Sequence, residues 1–98
     1  MSHRLAVLRM ARRELLEAVA WYDKGSSLAG NRLLAEVNAG LEKIALAPER
    51  FNFGMLGTRR YRLPDSPYDI HFQLRGELVV VFAIFHRKRD LRPLRRRL

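Results

Sequence analysis

The chain has 98 residues, 48% hydrophobic and 30% charged, and a formal net charge of +9. This length holds one small domain, which excludes a two-domain enzyme with a separate cofactor domain, and the apolar fraction excludes a disordered polycation. Cysteine is absent, so disulfide scaffolds, thiolate nucleophiles and Cys-ligated metal centres are excluded, and His3, His71 and His86 are too scattered for a metal motif.

In chain order, Arg4 to Leu8 reads as a short strand. Ala11, Leu15, Ala18, Val19 and Tyr22 then recur at helical spacing, which predicts a helix from about Arg9 to Asp23 closed by Gly25. Ser26 or Ser27 can cap a second helix carrying Leu34, Val37, Leu41 and Ile44 as its apolar seam, stopped by Pro48. The short connection Lys24-Gly25-Ser26 makes the two helices an antiparallel hairpin, and Gly30 and Gly40 permit close approach. Residues 51–58 read as a loop.

From Arg60 the period changes to two. Tyr61 and Leu63 alternate with Arg60 and Arg62, and Tyr68, Ile70, Phe72 and Leu74 alternate with Asp69, His71, Gln73 and Arg75, a strand with one wet face. Gly76-Glu77 is a two-residue hairpin turn of the kind that favours type II′. Leu78 to Phe85 is apolar throughout, as a central strand covered on both faces would be. The fold class is α+β: an N-terminal strand, a helical hairpin, then an antiparallel sheet (β-α-α-β-β-β), in one domain over residues 1–98 with a basic tail at about 91–98. Arg60, Arg62, His71 and Arg75 share one polar face if the strand registers agree.

Charge is uneven along the chain. Residues 1–58 carry 8 basic and 6 acidic side chains, whereas residues 59–98 carry 11 basic and 4 acidic. The basic half attracts phosphate backbones or an acidic protein alike. Arg95 to Arg97 read as a frayed, solvated end, and Arg87 and Arg89 as better fixed because they follow a buried strand. The longest apolar run, Leu78 to Phe85, is far short of the roughly 20 residues that cross a bilayer. No signal-type segment opens the chain. A cytoplasmic protein without a membrane partner is the expectation.

Several segments together carry a family likeness: Ala11-x-x-Glu14-Leu15-x-Glu17-Ala18-x-x-Trp21-Tyr22; Arg60-x-x-Leu63; Pro67-Tyr68-x-Ile70-x-Phe72; and Val81-x-Ala83-Ile84-x-His86-x-x-Arg89-Asp90. The chain resembles the ParE/RelE superfamily of type II toxin–antitoxin toxins, also called plasmid stabilisation proteins, over nearly its whole length. The resemblance implies the small α+β toxin fold, growth arrest as the outcome, and a hetero-oligomer with a cognate, acidic antitoxin. It implies no cofactor and no metal. In this superfamily the RelE branch cuts messenger RNA on the ribosome, and the ParE branch poisons DNA gyrase without being a nuclease.

Arg62 and Arg87 fall where the nuclease branch has a strand lysine and a late arginine. Asp69, however, stands where that branch has a catalytic arginine, and no Tyr or His follows Arg89. A carboxylate at a phosphate clamp is an electrostatic penalty, so the likeness is nearer ParE, although Leu91 and Leu94 depart from that pattern's Pro and aromatic ending. No catalytic residue is assigned; for a nuclease the set is Arg62, His86, Arg87 and Arg89. Target-binding candidates are Arg60, Arg62, His86, Arg87, Arg89 and Arg92, and antitoxin-binding candidates are Trp21 and Tyr22. Beside these stand plainer readings: Trp21, Tyr22 and Tyr68 as packing, His86 bonded to a neighbour or to Asp90, and Arg89 with Asp90 as an ion pair.

Overall fold

Strand β4 (Leu78–His86) organises the molecule. A computed structural model describes residues 2–98. Besides β4 it contains β1 (Arg4–Val7), α1 (Arg9–Asp23), α2 (Ser27–Leu46), β2 (Arg59–Arg62) and β3 (Tyr68–Arg75). The sheet order is β1-β4-β3-β2, with β2, β3 and β4 antiparallel as expected and β1 added parallel to β4. Residues 79–85 of β4 are all buried, because β1 and β3 flank the strand, the helices cover one face and the C-terminal segment packs on the other.

The helices begin and end where the punctuation places them. Ser26 caps α2, its Oγ accepting the Leu28 N–H at 3.2 Å, and Pro48 opens a 3₁₀ turn directly after the helix. Ala11 and Ala18 of α1 pack with Leu33, Val37 and Ile44 of α2 over Ile70, Phe72, Val79 and Val81. The buried seam of α2 therefore runs through Leu33, and the expected Leu34 points outward at 38% exposure. Two adjacent leucines fit the period equally well, and packing chooses between them. Gly30 does allow the two helices to approach, since a Cβ there would meet Asp23 and Val19. Gly40 instead receives the Tyr61 ring of β2, with 2.6 Å from an added Cβ to Tyr61 Cε2.

The hairpin between β3 and β4 pairs Arg75 with Leu78. Gly76 has φ +61° and Glu77 a negative φ, the sign pattern of a type II′ turn. Farther along, Phe72 pairs with Val81 and His71 with Ala83, which leaves Phe82 as a bulge without a partner on β3. The bulge inverts the alternation of β4. Val79, Val81 and Ile84 face the helices, while Val80, Phe82, Ala83 and Phe85 face the other side.

That second side is not open to water throughout. A 3₁₀ segment, Arg92–Arg97, crosses it and buries Leu94 completely against Val80, Phe82 and Phe85. The expectation of a frayed end at Arg95–Arg97 fails for Arg97, whose side chain is 5% exposed; Arg95 and Arg96 remain exposed. The wet face expected for β3 is corrected in the same way, since Asp69 and His71 are buried.

Candidate functional site

Register places the basic residues of β2 on the side of the sheet away from the helices. Arg60 pairs with His71 and Arg62 with Asp69, so these four side chains share that face, as expected if the registers agreed. Arg87, at the end of β4, bends over this region. Its Nε lies 3.0 Å from Asp69 Oδ1, its Nη2 donates to the Leu63 carbonyl at 2.5 Å, and its backbone N–H donates to Pro67. The Asp69 side chain is 6% exposed and that of Arg87 34%. This guanidinium is committed to holding the β2–β3 connection. Arg60 and Arg62, by contrast, have no ion-pair partner among the described residues.

Arg89 and Arg92 are also paired. Arg89 reaches back 75 residues to Glu14 at 3.0 Å and lies over the Phe85 ring. Arg92 pairs with Asp90, whose carboxyl is held below the usual range by hydrogen bonds from the Arg92 backbone and side chain. The expected Arg89–Asp90 pair is thus replaced by two others, because the turn after β4 directs Arg89 toward α1. His86 Nδ1 accepts the Lys88 N–H, a neighbour bond, and the imidazole stands edge-on to Tyr68.

Glu14 is the residue the sequence reading missed. It accepts the Ile84 N–H at 3.1 Å, Arg89 at 3.0 Å, and both terminal nitrogens of Arg97 at 3.0 and 2.7 Å. Arg97 also donates to the carbonyl of Phe82, the bulge residue. A carboxylate in the first turns of a helix looks like a solvated residue, and its partners are distant in sequence. Only the three donors gathered around it, the Ile84 N–H and the guanidinium groups of Arg89 and Arg97, mark its role.

On the helix side, Glu14, Glu17, Trp21, Tyr22, Tyr68, His86 and Arg89 line a cleft of about 520 Å³. Trp21 is 66% exposed, so its reading as core packing is corrected; Tyr22 is partly buried and joins the two helices to Tyr68. Burial, with Tyr22 nearby, raises the Tyr68 phenol. A second cleft, of about 780 Å³, runs from Tyr22 along α2 to Tyr61 and Asp65, whose N–H donates to Glu36. The eight sequence candidates therefore divide. His86, Arg89, Trp21 and Tyr22 meet at the first cleft, Arg60 and Arg62 stand on the far sheet face, Arg87 is held by Asp69, and Arg92 lies apart.

Among the described residues, no group of three or more His, Asp or Glu is arranged to hold a metal ion, and no helix is long and apolar enough to cross a membrane. No curated protein matches the chain. A solved chain from the chromosomal ParDE toxin–antitoxin system of P. aeruginosa shares the fold, with a TM-score of 0.77 at 13% identity, covering 87% of this chain and 96% of that one. The family model for the ParE toxin of the type II toxin–antitoxin system parDE matches residues 5–91. With the strand, helical hairpin and sheet of that fold in place, the chain belongs to the ParE toxin family.

Proposed function

We propose that this toxin poisons DNA gyrase and is held inactive by a cognate antitoxin. The observation that carries the choice of target is the Asp69–Arg87 pair. A metal-independent ribonuclease needs guanidinium groups free to stabilise a pentacoordinate phosphate and a group to protonate the leaving oxygen. Here the late arginine is spent on a buried carboxylate, which also repels phosphate. This supports a protein inhibitor over a RelE-like, ribosome-dependent mRNA endonuclease.

The antitoxin reading is supported by the helix side. Trp21 offers a large exposed aromatic surface beside a cleft, and Tyr22 joins that cleft to the one along α2. Interface anchors are enriched in Trp and Tyr seated in such positions. The basic excess of the chain favours an acidic partner.

The test is a supercoiling assay with purified protein. Micromolar toxin is expected to block supercoiling and trap cleaved DNA, and an adjoining small acidic protein is expected to restore it. Untouched supercoiling with message cut in a translation extract would establish the endonuclease instead.

A further inference from the structure

The chain as a whole is strongly basic, yet the cleft beside α1 has the opposite sign. Glu14, Glu17, Ala18 and Trp21 recur at helical spacing on one face of α1 and line that cleft. The two carboxylates stand against one guanidinium, that of Arg89, which is already bound to Glu14 at 3.0 Å. The His86 ring adds no charge, since its Nδ1 accepts the Lys88 N–H, as only a neutral imidazole can. Glu17 is exposed and forms no ion pair among the described residues.

The aromatic side chains of the cleft also lack a cation from the chain itself. Its arginines stack on other rings: Arg59 on Phe53, Arg75 on Phe82, and Arg89 and Arg97 on Phe85. Among the described residues none stands over Trp21, Tyr22 or Tyr68. Indole is the ring that attracts a cation best, and Trp21, the only tryptophan of the chain, is largely exposed. Its ring stands edge-on to Tyr22 at 5.3 Å between centroids, and Tyr22 lies 6.4 Å from Tyr68. Glu17 precedes Trp21 by one helical turn, so a carboxylate without an ion pair and a row of aromatic rings open into one space.

We propose that this cleft receives an arginine side chain of the antitoxin. The occupant follows from charge and shape. A guanidinium is planar, so it stacks on an aromatic face while its fork pairs with a carboxylate. A lysine ammonium brings the charge without the stacking plane. An acidic anchor would be repelled by Glu17, and an apolar one would desolvate that carboxylate without pairing it. The positive excess of the toxin lies elsewhere on its surface, so a partner that is acidic over most of its length and presents an arginine here matches both regions. An antitoxin with a carboxylate at this point is rejected, which makes the cleft a determinant of partner choice. The inference rests on the antitoxin reading above and not on gyrase being the target.

The test has two arms. In the first, the full chain is titrated with N-acetyl-arginine amide and with the citrulline and glutamate equivalents, following the fluorescence and the indole N–H resonance of Trp21. A single tryptophan assigns both signals. The arginine compound should shift both at millimolar concentration; citrulline, of the same shape without the charge, should bind about tenfold more weakly, and Glu17→Gln should weaken the arginine compound about fivefold. In the second arm, calorimetry measures the full chain with the adjoining small acidic protein, each arginine of which is changed to Ala in turn. One such change should cost about tenfold against the parent toxin, and about threefold less than that against Glu17→Gln. Glu42→Gln, an exposed carboxylate beside Leu5 and Leu46 rather than in the cleft, should leave affinity unchanged. The proposal is overturned if arginine and citrulline act alike, if the glutamate compound is preferred, or if no arginine of the partner couples to Glu17. In that last case a complex that still forms retains the antitoxin reading and removes this inference alone, whereas the absence of any complex removes both.

Discussion

Glu14→Ala is expected to destabilise the fold by about 3–5 kcal/mol, the cost of leaving a buried charge without its partner. The magnitude follows from what surrounds the carboxylate. Arg97, 5% exposed, donates twice to it and would keep its charge with no acceptor but the Phe82 carbonyl. The Ile84 N–H would lose its acceptor as well, at about 1–3 kcal/mol, a cost that overlaps with the first. Arg89 is 42% exposed, so solvent screening limits its share to about 1 kcal/mol or less. Against a total stability of about 5–15 kcal/mol, the loss is a large fraction of the fold. Urea denaturation followed by far-ultraviolet circular dichroism measures it. Glu14→Leu combined with Arg97→Met removes both charges and should cost less than the sum of the single changes by about 2 kcal/mol or more. A loss below about 1 kcal/mol for Glu14→Ala, or strict additivity in the pair, would refute the account of Glu14 and Arg97 as a buried latch on β4.

Four further outcomes are expected. Burial lowers the His71 imidazole, with Arg60 and Arg97 reinforcing the shift and Asp69 and Glu14 opposing it. The unfolded chain then binds more protons than the native one below pH 6.5, so stability should fall as pH drops below that value and stay level above it; thermal melts of His71→Gln beside the parent should show a shallower fall. Arg87→Ala leaves the buried Asp69 carboxylate unpaired and, with partial exposure of Arg87 discounting the cost, should destabilise by about 1–3 kcal/mol in denaturant titration. Gly40→Ala drives a Cβ into the Tyr61 ring and toward Ile70 Cδ1 at 3.3 Å, and should cost about 1–3 kcal/mol by the same measurement. Trp21→Ala should change the melting of the free toxin little, since the ring is exposed, yet weaken antitoxin binding by about 2 kcal/mol or more in calorimetry.

Much of this molecule is legible from local pattern. The bounds of α1, the Ser26 cap, the stop at Pro48, the Gly76-Glu77 turn and the doubly covered strand at 78–85 all follow from periodicity and punctuation within a dozen residues. The family likeness rests on the same local segments. Of the candidate site, the common face of Arg60, Arg62 and His71 was readable once a register was supposed. Which arginines stay free was not.

Tertiary structure alone decided the rest. A strand apolar at every position has no alternation from which to read a bulge, so the inversion at Phe82 and the two-sided core it creates depend on β3 and on the C-terminal segment. The parallel placement of β1 pairs residues more than seventy positions apart. Glu14 finds its donors 70, 75 and 83 residues away, and Arg87 finds Asp69 across the β3–β4 hairpin. The opening charge of +9 thus separates into arginines that hold the fold and arginines that face solvent. Hydrophobic periodicity is a local property of the chain, whereas the pairing of charges is set by whichever elements the packed core brings together.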